Sequence, residues 1–309
     1  LKNIYFFFIC IIINSACSSD NENETTTTVA QISTVNPVND QGPLLSSNST
    51  GVFRFTANGF FSNRTINVYY HIPDGNIKTM PMLMSFHGGS RNADDYRDYW
   101  TEIADNSNFM VFAPEFQSGD FSSDEYNLGN VFDDGDNPSS GTYNQQEEWT
   151  FSMLDLLFEY IKAEVNGTQE TYNGWGHSAG SQFLHRFVLF MPESKLNIAV
   201  CSNAGWYTVP ESGINFPYGL DQSQLGTNRL NLAFSKKLFV HLAEDDTDPN
   251  SSSLRHNEIV DNQQGLHRRA RGRYFYAKSE ETANQNQTEF YEFQNKHNKI
   301  RIKTSRYRG

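Results

Sequence analysis

The sequence predicts an α/β architecture, a mainly parallel central sheet with helices packed on both of its faces. Three observations predict it. Short apolar runs bounded by glycine or proline alternate with segments whose apolar residues recur at helical spacing. The alternation continues through most of the 309 residues without a linker break, and the residues able to do chemistry fall where apolar runs end. In an open parallel sheet those ends border the crevice in which ligands bind.

Residues 52–60 and 65–72 alternate as an opening pair of strands, the second stopped by Pro73-Asp74-Gly75. A strand over 80–86 follows, then a helix over 94–106 and a strand over 109–114. Residues 115–148 break the rhythm with Gly, Asp, Asn and Ser. Within them Phe132-Asp133-Asp134-Gly135-Asp136-Asn137 matches the spacing of no defined calcium motif, so the segment reads as a solvated loop beside the crevice, and no metal is expected. A helix over 149–165 sets Phe151, Leu154, Leu157, Phe158 and Ile161 on one face and leads into a strand over 171–175. A further helix over 181–191 carries Phe183, Leu184, Phe187, Val188 and Met191 at helical spacing. Strands follow at 196–202 and 237–243, and Phe290-Tyr291-Glu292-Phe293 is a candidate for the last one.

The N-terminus reads differently. Lys2 precedes an apolar run over 4–13, too short to span a bilayer and the right length for the core of a secretory signal. Asn14-Ser15-Ala16-Cys17 resembles a bacterial lipobox, which makes Cys17 the expected lipidation site and residues 1–17 a lipoprotein-type signal peptide. Ser18-Ser19-Asp20-Asn21-Glu22 is similar to the acidic export signal of surface lipoproteins in Bacteroidota. Residues 18–50, rich in Ser, Thr, Asn, Asp and Gln, read as a flexible tether, and residues 51–309 as one catalytic domain. The expected location is therefore the outer membrane or cell surface, or the medium, with membrane contact only through the lipid. Cys10 and Cys17 belong to the signal, which leaves Cys201, after Ile198-Ala199-Val200, as a buried strand thiol. With 24 basic against 36 acidic residues the net charge is −12, which argues against a nucleic-acid partner.

The chemistry starts at Gly176-His177-Ser178-Ala179-Gly180, where a serine sits between two glycines as a strand runs into a helix. A sharp turn there exposes the Ser178 hydroxyl at the helix N-terminus as a nucleophile. Upstream, the apolar Met82-Leu83-Met84-Ser85-Phe86 ends in His87-Gly88-Gly89-Ser90. A glycine turn at that place aims backbone N–H groups at a substrate oxygen, worth roughly 3 to 4 kcal/mol each once that oxygen becomes an anion. The expected donors are the N–H groups of Ala179 and of Gly89.

The order of serine, acid and later histidine resembles that of an α/β-hydrolase, over about residues 52–293. Pro114-Glu115-Phe116, the serine motif with Gln182-Phe183 and His185-Arg186-Phe187, Ala204-Gly205-Trp206-Tyr207, Asp246-Thr247-Asp248-Pro249 and Gln264-Gly265-Leu266-His267-Arg268 look like bacterial polyhydroxybutyrate-depolymerase-like and feruloyl-esterase-like hydrolases. The resemblance implies ester hydrolysis without a cofactor. It places the acid three residues beyond the small residue closing the penultimate strand, which from Ala243 gives Asp246, with Asp245 and Asp248 as rivals. Chain order leaves His256, His267 and His297 for the base. His297, about where the family places its histidine and just after the aromatic run, is the choice; His256 and His267 read as structural or solvated.

The C-terminus departs from the family. No glycine precedes His297, and from Gln294 onward there are six Lys or Arg and no Asp or Glu. That switch is consistent with a truncated or altered end. If residues 299–307 formed the last strand instead, His297 would lie roughly 25 to 30 Å from the carboxyl edge, at about 3.3 Å per residue, and the base would be missing. The expected activity is a Ser178-His297-Asp246 serine esterase on a polyester, polyhydroxyalkanoate or feruloyl-type ester, monomeric or polymeric. Trp206 and Tyr207 are either an aromatic wall for the substrate or packing under the loop. The rivals are a binding lipoprotein that kept the cleft and lost the base, and a serine peptidase on the same fold.

Overall fold

The computed structural model describes residues 45–139 and 141–288. Seven strands lie among them: β1 (Ser49–Thr56), β2 (Thr65–Ile72), β3 (Met82–Phe86), β4 (Met110–Glu115), β5 (Tyr172–His177), β6 (Leu196–Ser202) and β7 (Lys237–His241). They form one sheet in the order β1-β2-β4-β3-β5-β6-β7. β1 and β2 run antiparallel to their neighbours, and from β4 through β7 every pairing is parallel.

The hairpin follows from its side-chain pattern. Phe53 and Phe55 point into the core while Arg54 between them faces out, so a one-residue slip would expose both rings. Thr56 and Thr65 close the ladder through a 2.7 Å hydroxyl contact. The expected start near residue 51 comes too late, since β1 begins at Ser49 and Leu45 is already buried in the core. β3 and β4 are apolar but for Ser85 and the terminal Glu115, as suits strands covered on both faces.

Helices make the parallel crossovers: α1 (Ala93–Ser107), the short α2 (Ser123–Asn127), α3 (Met153–Glu164), α4 (Ala179–Phe190) and α5 (Thr227–Phe234), and α6 (Glu258–Gln264) and α7 (Arg268–Gln285) follow β7. α1 ends where Asn108 turns left-handed and returns its N–H to Ala104. Ala93 and Tyr96 of α1 cover Ala113, Tyr69 and Trp175 on one face of the sheet. The larger core, under α3 and α4, fills the other. α4 is buried along its whole length, and its Phe183 meets Phe86, Phe116, Tyr126 and Phe151 at ring separations of 5.0–5.5 Å.

The segment after β4 is more built than a solvated loop. Its Asp, Asn and Gly residues take the turns, while Phe116, Phe121, Tyr126, Leu128, Val131 and Phe132 are all buried. A capping box at Ser122 and Glu125 starts α2, and Phe132 bridges Tyr143. The acids have protein partners: Asp134 accepts from Ser139 and Thr142, and Asp136 pairs with Arg255. Among the described residues no cluster of side chains is arranged to hold a metal, and no helix is long and apolar enough to cross a membrane.

Two buried histidines staple excursions of the chain to this frame. His87 donates from Nδ1 to the Gly88 carbonyl (3.0 Å) and accepts the Phe116 N–H at Nε2 (3.0 Å). His185 donates to the Ser181 carbonyl (2.9 Å) and accepts the Thr208 N–H (3.0 Å). Each must be neutral to accept, and burial lowers His87 to about 3 and His185 well below its ordinary value. The unfolded chain takes these protons near pH 6.5 and the folded protein does not, so stability is full above that pH and falls as pH drops toward 3. Urea unfolding between pH 6.5 and 5 is expected to show a loss of about 1.4 kcal/mol per pH unit for each imidazole, with the slope shallower in His185→Gln.

Candidate active site

Ser178 sits between β5 and α4 with φ 55° and ψ −114°, a left-handed conformation that a non-glycine residue adopts only when its surroundings impose it. The imposing contacts are local. Its N–H donates to the Ser202 carbonyl on β6 (3.0 Å), and its own carbonyl accepts the Gln182 N–H one turn into α4 (3.0 Å). The flanking glycines let the turn close. A Cβ on Gly176 would collide with the Gly180 carbonyl and lie 2.9 Å from the Ser181 nitrogen, and one on Gly180 would collide with the Phe86 carbonyl and lie 2.8 Å from the His87 oxygen. The serine is thus raised on a turn too tight for any other residue on either side.

The His87-Gly88-Gly89 turn at the end of β3 adjoins it. A Cβ on Gly88 would come within 3.8 Å of the Ser178 Cβ and 2.9 Å of the Tyr96 hydroxyl, while Gly89 faces open space. Tyr126 donates its hydroxyl to the His87 carbonyl (2.8 Å), and Arg91, stacked on the Tyr126 ring at 4.6 Å, donates to the Phe116 carbonyl. Ala179 opens α4, so its N–H has no acceptor within the helix. Backbone donors from two elements therefore border the serine.

Asp246 lies in the turn after β7, its N–H on the Ala243 carbonyl at 3.4 Å. Its Oδ1 faces Arg268 Nη1 at 3.4 Å. His177, beside the serine, receives a 3.3 Å contact from the Tyr96 hydroxyl. Burial lowers the pKa of His177, the charge of Arg268 adds to the effect, and Asp246 opposes it, so acid and arginine both lie within electrostatic reach of the serine turn. His297 and Cys17 lie outside the described residues. His256 binds the carboxylate of Asp261 (2.9 Å), and His267 caps α7 by accepting the Ala270 N–H at 3.2 Å. Cys201 is a buried free thiol whose pKa burial raises.

Trp206 and Tyr207 require a correction. Tyr207 is wholly buried, stacked on Phe275 at 4.7 Å, and Trp206 is 3% exposed between the guanidinium groups of Arg186 (4.2 Å) and Arg255 (4.8 Å). The cause is the chain beyond them. Gln264 takes the Tyr207 N–H and returns its amide to the Tyr207 carbonyl, and Arg271 donates to the Gly205 carbonyl (2.8 Å). The α6–α7 turn thereby folds over the aromatic pair, which becomes interior packing and not a substrate wall.

A scan against protein-family models finds no match, and a search of the curated proteins finds none either. Among solved structures, poly(aspartic acid) hydrolase-1 from Sphingomonas sp. KT-1 is 35% identical, with a TM-score of 0.73 over 79% of this chain and 90% of that one. This chain belongs to the depolymerase-like α/β-hydrolases. The poly(3-hydroxybutyrate) depolymerase LpqC from Bordetella parapertussis is 26% identical, with a TM-score of 0.72 over 79% of this chain and 80% of that one. The sheet order and the serine turn described above are accordingly those of a hydrolase of the depolymerase and esterase type. What holds this α/β-hydrolase site in place is not among the residues to which the sequence motifs assign a role. Arg268, Arg269 and Arg271 at the head of α7 are the main instance, and their signal was legible as three arginines in the first turn of a helix, where cations oppose the helix dipole.

Proposed function

We propose that the protein is a serine esterase, exported and tethered through a lipid on Cys17, that cleaves carboxylic esters of polymers or of plant-derived aryl acids. The observation that carries this reading is the backbone of Ser178, held left-handed between two glycines that tolerate no side chain and set against the Gly88-Gly89 turn. Such strain persists where a reactive group must be aimed. Ser178 Oγ attacks the ester carbonyl while His297, held by Asp246, takes its proton. The N–H groups of Ala179 and Gly89 receive the oxyanion, and the imidazolium returns the proton to the departing alcohol. Water, deprotonated by the same histidine, then frees the acid from the acyl-enzyme.

A second reading has one observation in its favour. The 35% identical neighbour is by name a hydrolase of poly(aspartic acid), a polymer joined by amide bonds, and amide cleavage uses the same three groups. The substrates to compare are therefore short p-nitrophenyl esters, polyhydroxybutyrate, a feruloylated oligosaccharide and poly(aspartic acid). Release from the esters but not from poly(aspartic acid) supports the esterase, and the reverse pattern replaces it with the amide hydrolase. His297→Ala is expected to lower kcat by about 10⁴ or more. Turnover retained in that variant would move the base elsewhere. Wild-type protein that binds esters without releasing acid would make it a binding protein instead.

A further inference from the structure

We propose that Arg268 is a positioning residue for the acid of the triad, a role that rests on the assignment of Asp246 above. The head of α7 carries Arg268, Arg269 and Arg271 and no acidic residue in its first turn, an arrangement the helix dipole disfavours. A local rule broken in this way calls for compensation elsewhere in the structure. The acid loop supplies it. Arg268, only 9% exposed, reaches Asp246 Oδ1 and Ser251 Oγ with Nη1 (3.4 and 3.2 Å) and Ser253 Oγ with Nη2 (2.8 Å). Arg269 donates its N–H to the Asp246 carbonyl (3.2 Å) and its guanidinium to the Glu244 carbonyl (3.0 Å). Both ends of residues 244–253 are thus fastened to one helix terminus.

The clamp acts on orientation and on charge. With Oδ1 turned to the guanidinium, Oδ2 has no hydrogen-bond partner among the described residues and is the oxygen left to receive an imidazole N–H. The guanidinium also disfavours the imidazolium that forms during attack, so it holds the base to a lower pKa than the carboxylate alone would set. Other groups around Asp246 are Arg269 on α7, His177 at the end of β5 and Tyr207 after β6, with Glu244 and Asp245 in its own loop; His241 on β7 faces His177.

The test compares Arg268→Gln, Arg268→Lys and Asp246→Asn in the full chain, with kcat, KM, pH profile and Tm for each. Arg268→Gln is expected to lower kcat by about 10²-fold with KM nearly unchanged, the cost of a misplaced catalytic group. Its acidic limb should move up by about 0.5 to 1 pH unit as the base loses a neighbouring positive charge. Arg268→Lys keeps the charge without the fork, so the limb should stay in place while kcat recovers only in part. An arginine that serves stability alone would lower Tm and leave the limb where it was, and that result overturns the proposal. If Asp246→Asn turns over normally, the triad assignment has failed; if it is inactive and Arg268→Gln matches wild type, only the positioning role has.

Discussion

Ser178→Ala is expected to lose turnover by about 10⁴ to 10⁶ in kcat while unfolding at the wild-type temperature, since removal of a nucleophile costs on this scale. The stability half of the expectation is as informative as the activity half. Alanine keeps the Cβ, so the left-handed backbone at φ 55° stays as strained as before, and the hydroxyl lost from this half-buried residue makes no hydrogen bond among the described residues. Ser178→Gly should be equally inactive but more stable than the alanine variant, by about 1 kcal/mol, because glycine adopts that backbone without strain and the relief exceeds its entropic cost. Calorimetry beside an ester assay reads both. A serine variant that keeps its rate would remove the nucleophile from the account.

Gly180→Ala is expected to be strongly destabilising through one added methyl. The added Cβ would collide with the Phe86 carbonyl and approach the His87 oxygen to 2.8 Å. Neither atom can withdraw cheaply, because Phe86 is in register with Gly176 across the β3–β5 ladder and the His87 carbonyl accepts the Tyr126 hydroxyl. Overpacking a core costs about 1 to 3 kcal/mol even where side chains can adjust, and here backbone must, so a loss of about 3 kcal/mol or more is expected in urea unfolding. Gly89→Ala is the contrast. No atom lies within 4 Å of its added methyl, so its stability should stay within about 0.5 kcal/mol of wild type. Equal behaviour of the two variants would mean that the turn is not packed as described.

What was legible in the sequence depended on whether the signal was local. The strand at Leu196–Ser202 and the face of α4 bearing Phe183 and Phe187 announce themselves through period and bounding turns. So does the serine turn, because backbone geometry there demands glycine at two named positions. From sequence, Trp206 and Tyr207 at a strand end fit either a cleft wall or packing under the loop. Their burial is decided by Gln264 and Arg271, some sixty residues later, which no local pattern reveals. The stretch after β4 hid its packing for a related reason, since Gly, Asp and Asn set its composition while Phe121, Tyr126 and Phe132 set its structure. The acid's surroundings were missed for yet another: Arg268 and Arg269 lie more than twenty residues beyond Asp246, and only folding brings them to its loop.

The most direct test of a Ser178 nucleophile is covalent capture. The intact protein would be incubated with a fluorophosphonate, digested, and the adduct located by mass spectrometry. One phosphonylated site is expected, on the peptide that carries Gly176-His177-Ser178-Ala179-Gly180, absent from Ser178→Ala. An unlabelled protein that nevertheless hydrolyses esters, or a label on another residue, would contradict it.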